Sequence, residues 1–158
     1  MKLINILSML LLTALCFSLG ACYPYEDFKN HPSQFDGSTW VSEDNEIAIF
    51  VEYIDYADFA LCQKCFSYPK DSIGMRAQFI ANGKSYNCFV LSTPHEGTMY
   101  FAPIDSLSKI TSDEEFYENI IVEFRLIVDN STHFMARVIE SDVLEDGKLY
   151  HFYRQAVE

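Results

Sequence analysis

Residues 73–91 read IGMRAQFIANGKSYNCFVL and contain the clearest local signal for a β fold in this chain. Asn82-Gly83 separates two runs in which apolar and polar residues alternate. Both turn residues tolerate a positive φ, which a two-residue hairpin requires. We therefore predict two antiparallel strands, residues 73–81 and 84–91, joined by a tight turn.

The same alternation continues on both sides of this hairpin. On the N-terminal side, residues 46–54 (EIAIFVEYI) place Ile47, Ile49 and Val51 on one face. On the C-terminal side, the alternation predicts strands at residues 97–103, 120–128, 133–140 and 148–154. One helix interrupts the series, because Ser112 and Glu115 form a capping box that predicts a helix from Asp113 to about Asn119.

The order of these elements predicts an all-β fold. Seven or eight short strands follow one another through tight turns, so neighbouring strands are expected to be antiparallel. Closing such a sheet on itself removes its exposed edges, which favours an up-and-down barrel with one short helix over residues 37–158. A β-sandwich is the alternative architecture.

The N-terminal region has a different composition. Residues 1–21 carry one positive charge, at Lys2, followed by a largely apolar run from Leu3 to Leu19, which is typical of a secretory signal. Residues 22–36 show no periodicity and contain Pro24 and Pro32, so we predict a flexible tether there.

The junction between these two segments, Leu19-Gly20-Ala21-Cys22, resembles the bacterial lipobox. The resemblance implies that a lipid is attached to Cys22, that residues 1–21 are removed, and that the mature protein is anchored on the extracytoplasmic side of a membrane. Two alternatives stay open: an uncleaved membrane anchor, and an ordinary signal peptide cut after Ala21.

The start and end of the folded region carry a second resemblance. The segment Ser38-Thr39-Trp40-Val41-Ser42-Glu43-Asp44, together with Arg154 in the last strand, resembles small lipoproteins of the Firmicutes. It also resembles calycins such as lipocalins, whose first strand carries Gly-x-Trp and whose last strand brings an Arg over that Trp. Here Ser38 lies two residues before Trp40, and Gly37 one residue earlier. This resemblance implies a calycin-like barrel.

Composition narrows the range of partners. The 158-residue chain has 23 acidic and 11 basic residues, a formal net charge of −12. Nucleic acid is therefore an unsuitable partner, because its binding needs cationic groups that displace counterions. With 13 Phe and 10 Tyr, the chain has enough bulky side chains to build a core.

Cysteine spacing raises the question of a redox or metal site. Cys62 and Cys65 have a Cys-x-x-Cys spacing, but no βαβ pattern surrounds them as in a thiol oxidoreductase. Cys88 and His95 could complete a zinc site, yet they lie seven residues apart, which is unlike a typical second ligand pair. We favour structural roles, a disulfide or buried thiols, and predict no metal or cofactor.

Two binding functions follow from these features, and the sequence contains no recognisable catalytic motif. In the first, a small apolar molecule occupies a barrel cavity of roughly a few hundred Å³; the predicted lining residues are Trp40, Tyr86, Phe124 and Phe134. In the second, the barrel has a solid core and binds a cell-envelope protein or glycan through an exposed aromatic patch. We expect the protein not to be an enzyme.

Overall fold

The computed structural model describes residues 35–54, 72–93, 97–107, 109–110, 112–129 and 132–156. These residues form eight strands and two short helices. The strands are β1 (Thr39–Ser42), β2 (Ile47–Ile54), β3 (Ile73–Ala81), β4 (Lys84–Thr93), β5 (Thr98–Pro103), β6 (Val122–Asp129), β7 (His133–Ser141) and β8 (Leu149–Arg154). The helices are α1 (Ile104–Leu107) and α2 (Asp113–Glu118), both between β5 and β6.

The eight strands form a closed barrel in sequence order. Each strand is antiparallel to the next, and β8 returns to pair with β1, where Arg154 lies opposite Trp40 and Phe152 opposite Ser42. This closure confirms the predicted up-and-down barrel, compatible with a lipocalin-like fold, and excludes the sandwich. In the described part of the chain, neither helix has the length and hydropathy needed to cross a bilayer.

The β3–β4 hairpin has the predicted register. Its pairing runs without a shift from Ile73 opposite Ser92 to Ala81 opposite Lys84. Asn82 and Gly83 form the turn with φ values of 52° and 72°, the left-handed region that this residue pair tolerates. The Asn82 side-chain amide also donates a hydrogen bond of 2.6 Å to the carbonyl of Val143, which ties the turn to the β7–β8 connection.

Aromatic rings fill most of the barrel interior. Successive ring centroids lie 4.5–5.8 Å apart in one connected series, which we call the aromatic column. Its members, in spatial order, are Phe79, Phe101, Phe124, Phe152, Phe134, Trp40 and Phe35. All are buried, and an eight-stranded barrel has an interior of the width that side chains can fill.

A second, smaller core lies outside the barrel. The segment containing α1 and α2 covers the outer face of β4 and β5, where Phe89, Leu91 and Ala102 are buried against Ile110 and Phe116. Ser112 is the N-cap of α2, as predicted, because the backbone N–H of Glu115 donates to its Oγ. The single turn of α1 was not predicted from the sequence.

Candidate functional site

Trp40 lies at one end of the aromatic column and is fixed by three contacts. Its indole N–H donates a 2.8 Å hydrogen bond to Oγ of Ser38, whose hydroxyl in turn donates to the carbonyl of Phe35. The Phe35 ring stacks on the indole at 5.2 Å, and the Phe134 ring packs against it at 5.0 Å. Phe35, which the sequence analysis placed in the tether, is therefore part of the core.

A small cavity adjoins these rings at the end of the barrel where β2 ends and β3 begins. Its volume is about 20 Å³, which suffices for roughly one water molecule. All the lining residues are apolar: Phe35, Trp40, Ile49, Val51, Met75, Met99, Leu126 and Phe134. The cavity is thus much smaller than the few hundred Å³ predicted for a ligand inside the barrel.

The four residues predicted to line a ligand cavity lie in different parts of the barrel. Trp40 and Phe134 lie in the cavity wall. Phe124 is buried within the aromatic column between Phe101 and Phe152. Tyr86 is half-buried at the opposite end of the barrel, near the β3–β4 turn, with its ring 6.3 Å from that of Phe79. The sequence analysis assigned all four to the lining of one cavity, and the structure places only Trp40 and Phe134 there.

The described residues that line the cavity include several that the sequence analysis did not single out. Met75 on β3 and Met99 on β5 supply flexible, unbranched side chains to its wall. Residues 55–71 and 94–96 lie outside the described residues.

Of the cysteines named in the sequence analysis, Cys88 lies within the described residues. Cys88 is a free thiol, fully buried in the barrel core, and its burial raises the pKa to about 12. Cys22, Cys62, Cys65 and His95 lie outside the described residues. Within the described residues, no cluster of three or more His, Cys, Asp or Glu side chains is arranged to hold a metal ion.

The outer face of β2, β1, β8 and β7 carries a connected row of apolar and aromatic side chains. The register places Val41 opposite Tyr153, Tyr153 opposite His133, and Thr39 opposite Phe50. Phe50, Tyr153 and Leu149 are 47%, 42% and 38% exposed. We call this surface the outer strip and define it by six residues: Val41, Phe50, His133, Leu149, His151 and Tyr153.

Three rings of the outer strip stack on one another. The His133 ring lies 4.8 Å from that of Tyr153 and 5.6 Å from that of His151, with interplanar angles of 26° and 23°. Burial lowers the pKa of His133 below its ordinary value of 6.5, and the neighbouring His151 lowers it further, whereas Glu43 raises it. The lowered pKa favours the uncharged imidazole of His133.

Charged residues flank the outer strip on both sides. Glu43 and Glu46 are exposed beside the β1–β2 turn. Arg125 on β6 and Arg137 on β7 are exposed on the other side and lie directly opposite each other in the sheet. On the first side, Lys148 Nζ pairs with Glu46 at 2.8 Å and with Asp44 at 3.5 Å. On the second side, Glu123 lies opposite Glu140 beside the two arginines, so both sides carry mixed charge.

The outer strip differs from the outer face of β4 and β5 in one respect. On the outer face of β4 and β5, the α1–α2 segment covers the apolar side chains Phe89, Leu91 and Ala102. In the described part of the chain, no helix packs over the outer strip, and its largest side chains stay exposed. Exposed apolar surface of this kind is characteristic of interaction sites.

Comparison with known proteins provides no functional analogue. Searches against family models, curated protein sequences and solved structures found no match to this chain. The site is therefore interpreted from its own geometry.

Proposed function

We propose that this chain is a lipid-anchored extracytoplasmic module that binds a protein of the cell envelope through the outer strip. The observation that carries the proposal is the contrast between the two apolar outer faces of the barrel: one is covered by the chain's own helices, and the other is exposed. The filled aromatic column supports the same conclusion, because it makes the barrel a rigid platform whose recognition surface lies outside.

The lipid anchor in this proposal rests on the lipobox-like segment ending at Cys22. About a dozen residues lie between Cys22 and Phe35, the first residue that the structure describes. The tether that the sequence predicts over residues 22–36 would reach roughly 20 Å on average. That reach lets the barrel stand clear of the headgroups and turn its outer strip towards a neighbouring protein.

Site-specific photo-crosslinking in cells tests the binding surface. The photoreactive residue p-benzoylphenylalanine would replace Tyr153 in the full chain, and in a matched control would replace Tyr117, which is 48% exposed on α2 and outside the outer strip. We expect a discrete protein adduct from position 153 only, with the crosslinked residues identified by mass spectrometry. Equal adducts from both positions, a glycan adduct, or no adduct would overturn the proposal.

Metabolic labelling with an alkyne fatty acid tests the anchor. The wild-type chain should incorporate the label and fractionate with membranes, whereas Cys22→Ser should lose both properties. Cys88→Ser is the matched control, because that thiol is buried in the core and its loss should leave labelling unchanged. Persistence of the label in Cys22→Ser would contradict lipid attachment at this position.

A second candidate function is the binding of a small apolar molecule at the end cavity. The observation that favours it is the wholly apolar lining, in which Met75 and Met99 can change rotamer and enlarge the space. Trp40 is the chain's single tryptophan, so its fluorescence reports directly on the cavity. Titration with a saturated fatty acid should shift that emission saturably, and Leu126→Phe should weaken the effect by filling the space. An unchanged emission would exclude this candidate.

A further inference from the structure

We propose that Ser92 is the hydrogen-bonding anchor of the end cavity, so that the molecule bound there is a small apolar compound with one uncharged hydroxyl or carbonyl group. This inference rests on the second candidate function, binding at the end cavity, and adds the residue that selects the polar group of the ligand. It does not depend on the outer strip.

Ser92 lies on the inner face of β4, beside two residues of the cavity wall. It is opposite Met99 on β5 and opposite Ile73 on β3. Directly opposite residues of antiparallel strands point to the same side of the sheet, with Cβ atoms about 5 Å apart. Met99 lines the cavity, so the Ser92 side chain points into the same end of the barrel. Met75, also in the wall, is two residues further along β3 and is therefore a diagonal neighbour of Ser92.

The hydroxyl group of Ser92 is buried and unpaired. The residue is 0% exposed, and within the described residues its Oγ has no hydrogen-bond partner. By contrast, the buried hydroxyls of Ser38, Ser42 and Thr93 each have a partner in the fold. A buried polar atom without a partner is costly and uncommon in native proteins. The Ser92 hydroxyl is therefore suited to a partner from outside the chain.

The surroundings of Ser92 favour an organic ligand over a bound water molecule. A buried water usually makes two to four hydrogen bonds to protein groups. The residues that line the cavity are all apolar, so a water molecule beside Ser92 would have that one side-chain partner. An apolar molecule with a single polar group matches both features at once, because its apolar part contacts the wall and its polar group bonds the hydroxyl.

The absence of charge on the wall selects an uncharged polar group. A carboxylate beside Ser92 would be buried among the apolar residues of the described lining with no cation to pair with, which is strongly unfavourable. A hydroxyl or carbonyl group carries no such cost. The Ser92 hydroxyl can donate to either group, and it can also accept from an alcohol.

The aromatic column limits the length of the ligand. Trp40 and Phe134 belong both to the cavity wall and to the column, and the column fills the barrel beyond them. The ligand therefore occupies the cavity and the space that Met75 and Met99 release by changing rotamer. This space suits a short apolar part rather than a long acyl chain inside the barrel.

Titration with three probes of equal chain length tests the proposal. Purified full-length protein would be titrated at neutral pH with n-hexane, n-hexanol and hexanoate, with Trp40 emission as the readout. We expect n-hexanol to bind at least about tenfold more tightly than hexanoate, because the buried carboxylate would be unpaired. Tighter binding of hexanoate would overturn the selection of an uncharged group. No change in emission with any probe would overturn both this inference and the second candidate function.

The substitution Ser92→Ala tests the anchor itself. It should weaken the binding of n-hexanol by about tenfold, because the alcohol group then has no partner, and should not weaken the binding of n-hexane. Ser85→Ala is the matched control on the same strand, since Ser85 is exposed, and should leave the binding of both probes unchanged. Equal effects of Ser92→Ala on the two probes would overturn the anchor and leave the second candidate function intact.

Urea unfolding separates an anchor from a structural role of Ser92. In the protein without ligand, Ser92→Ala removes an unpaired hydroxyl, so the midpoint of unfolding should stay the same or rise. Saturating n-hexanol should then raise the midpoint of the wild type more than that of the variant. A midpoint that falls in Ser92→Ala without ligand would show that the hydroxyl is bonded within the fold, and would overturn the proposal.

Discussion

Ser38 connects two aromatic residues that lie at the start of the fold. It accepts the indole N–H of Trp40 and donates to the carbonyl of Phe35, so one small hydroxyl group satisfies two buried polar atoms. The sequence analysis noted Ser38 only because it stands where calycins have the Gly of Gly-x-Trp. Its role could not be predicted, because the donor and acceptor it serves come together only when Phe35 folds back over the indole.

Cys88 provides a test of burial at the residue scale. A thiol whose pKa is raised to about 12 by burial has almost no thiolate at neutral pH, and the thiolate is the reactive species. We expect iodoacetamide to leave Cys88 unmodified in the native protein and to label it after unfolding in urea. Peptide mass spectrometry measures alkylation of Cys88 separately from that of the other cysteines. Rapid labelling under native conditions would show that the core opens.

His133 provides a test of pH dependence. Burial and the neighbouring His151 lower its pKa in the folded protein below 6.5, so between the two pKa values the unfolded chain binds more protons than the folded one. The free energy of unfolding must then rise with pH in that range and fall as the pH drops below about 6.5. Urea unfolding at several pH values should show a weaker loss in His133→Gln. Identical pH dependence in both proteins would contradict this assignment.

The β3–β4 hairpin was predictable at the scale of the element because all of its determinants are local. Alternation set the two faces, and Asn82-Gly83 set the turn and hence the register. The register shift between Val51 and Tyr53 in β2 was not predictable, because one additional residue in a strand leaves no distinct mark in composition. The four residues of α1 are likewise too few to show a helical period.

Gly83 allows the energetics of this turn to be measured. At φ 72°, a Cβ atom would meet nothing within 4 Å, so the cost of Gly83→Ala comes from the left-handed backbone alone. We expect a destabilisation of about 1 kcal/mol in urea unfolding. Lys84→Ala, at the adjoining exposed position, should change stability by less than about 0.5 kcal/mol. A neutral Gly83→Ala would mean that the turn relaxes to another conformation.

At the scale of the whole molecule, the aromatic column should dominate stability. Phe124 contacts the rings of Phe79, Phe101 and Phe152, so Phe124→Ala leaves a cavity on several sides and should cost about 3–5 kcal/mol. Phe50→Ala removes the same ring from the outer strip, where it is 47% exposed, and should cost far less. Urea unfolding compares the two directly, and similar costs would contradict the division into filled interior and exposed strip.

The closure of the barrel could be predicted from the sequence, but the filling of its interior by side chains could not. Alternation shows which side chains point inward, yet the volume that remains depends on how Phe152 and Phe134 stack across the interior, which only the assembled sheet determines. The outer strip could not be predicted from the sequence for a related reason. Phe50 and Tyr153 lie about a hundred positions apart in the chain and share one face only because β1 pairs with both β2 and β8.

That pair also sets the order in which the molecule can be completed. β1 is the first strand of the barrel to be synthesised and β8 is the last, so the barrel cannot close until β8 has been made. Val41 and Tyr153 sit on either side of this closing seam. Before closure, β1 and β7 both present unpaired edges that invite wrong pairing. The outer strip therefore exists only on a finished molecule, and anything that recognises it distinguishes a completed barrel from a truncated or partly folded one.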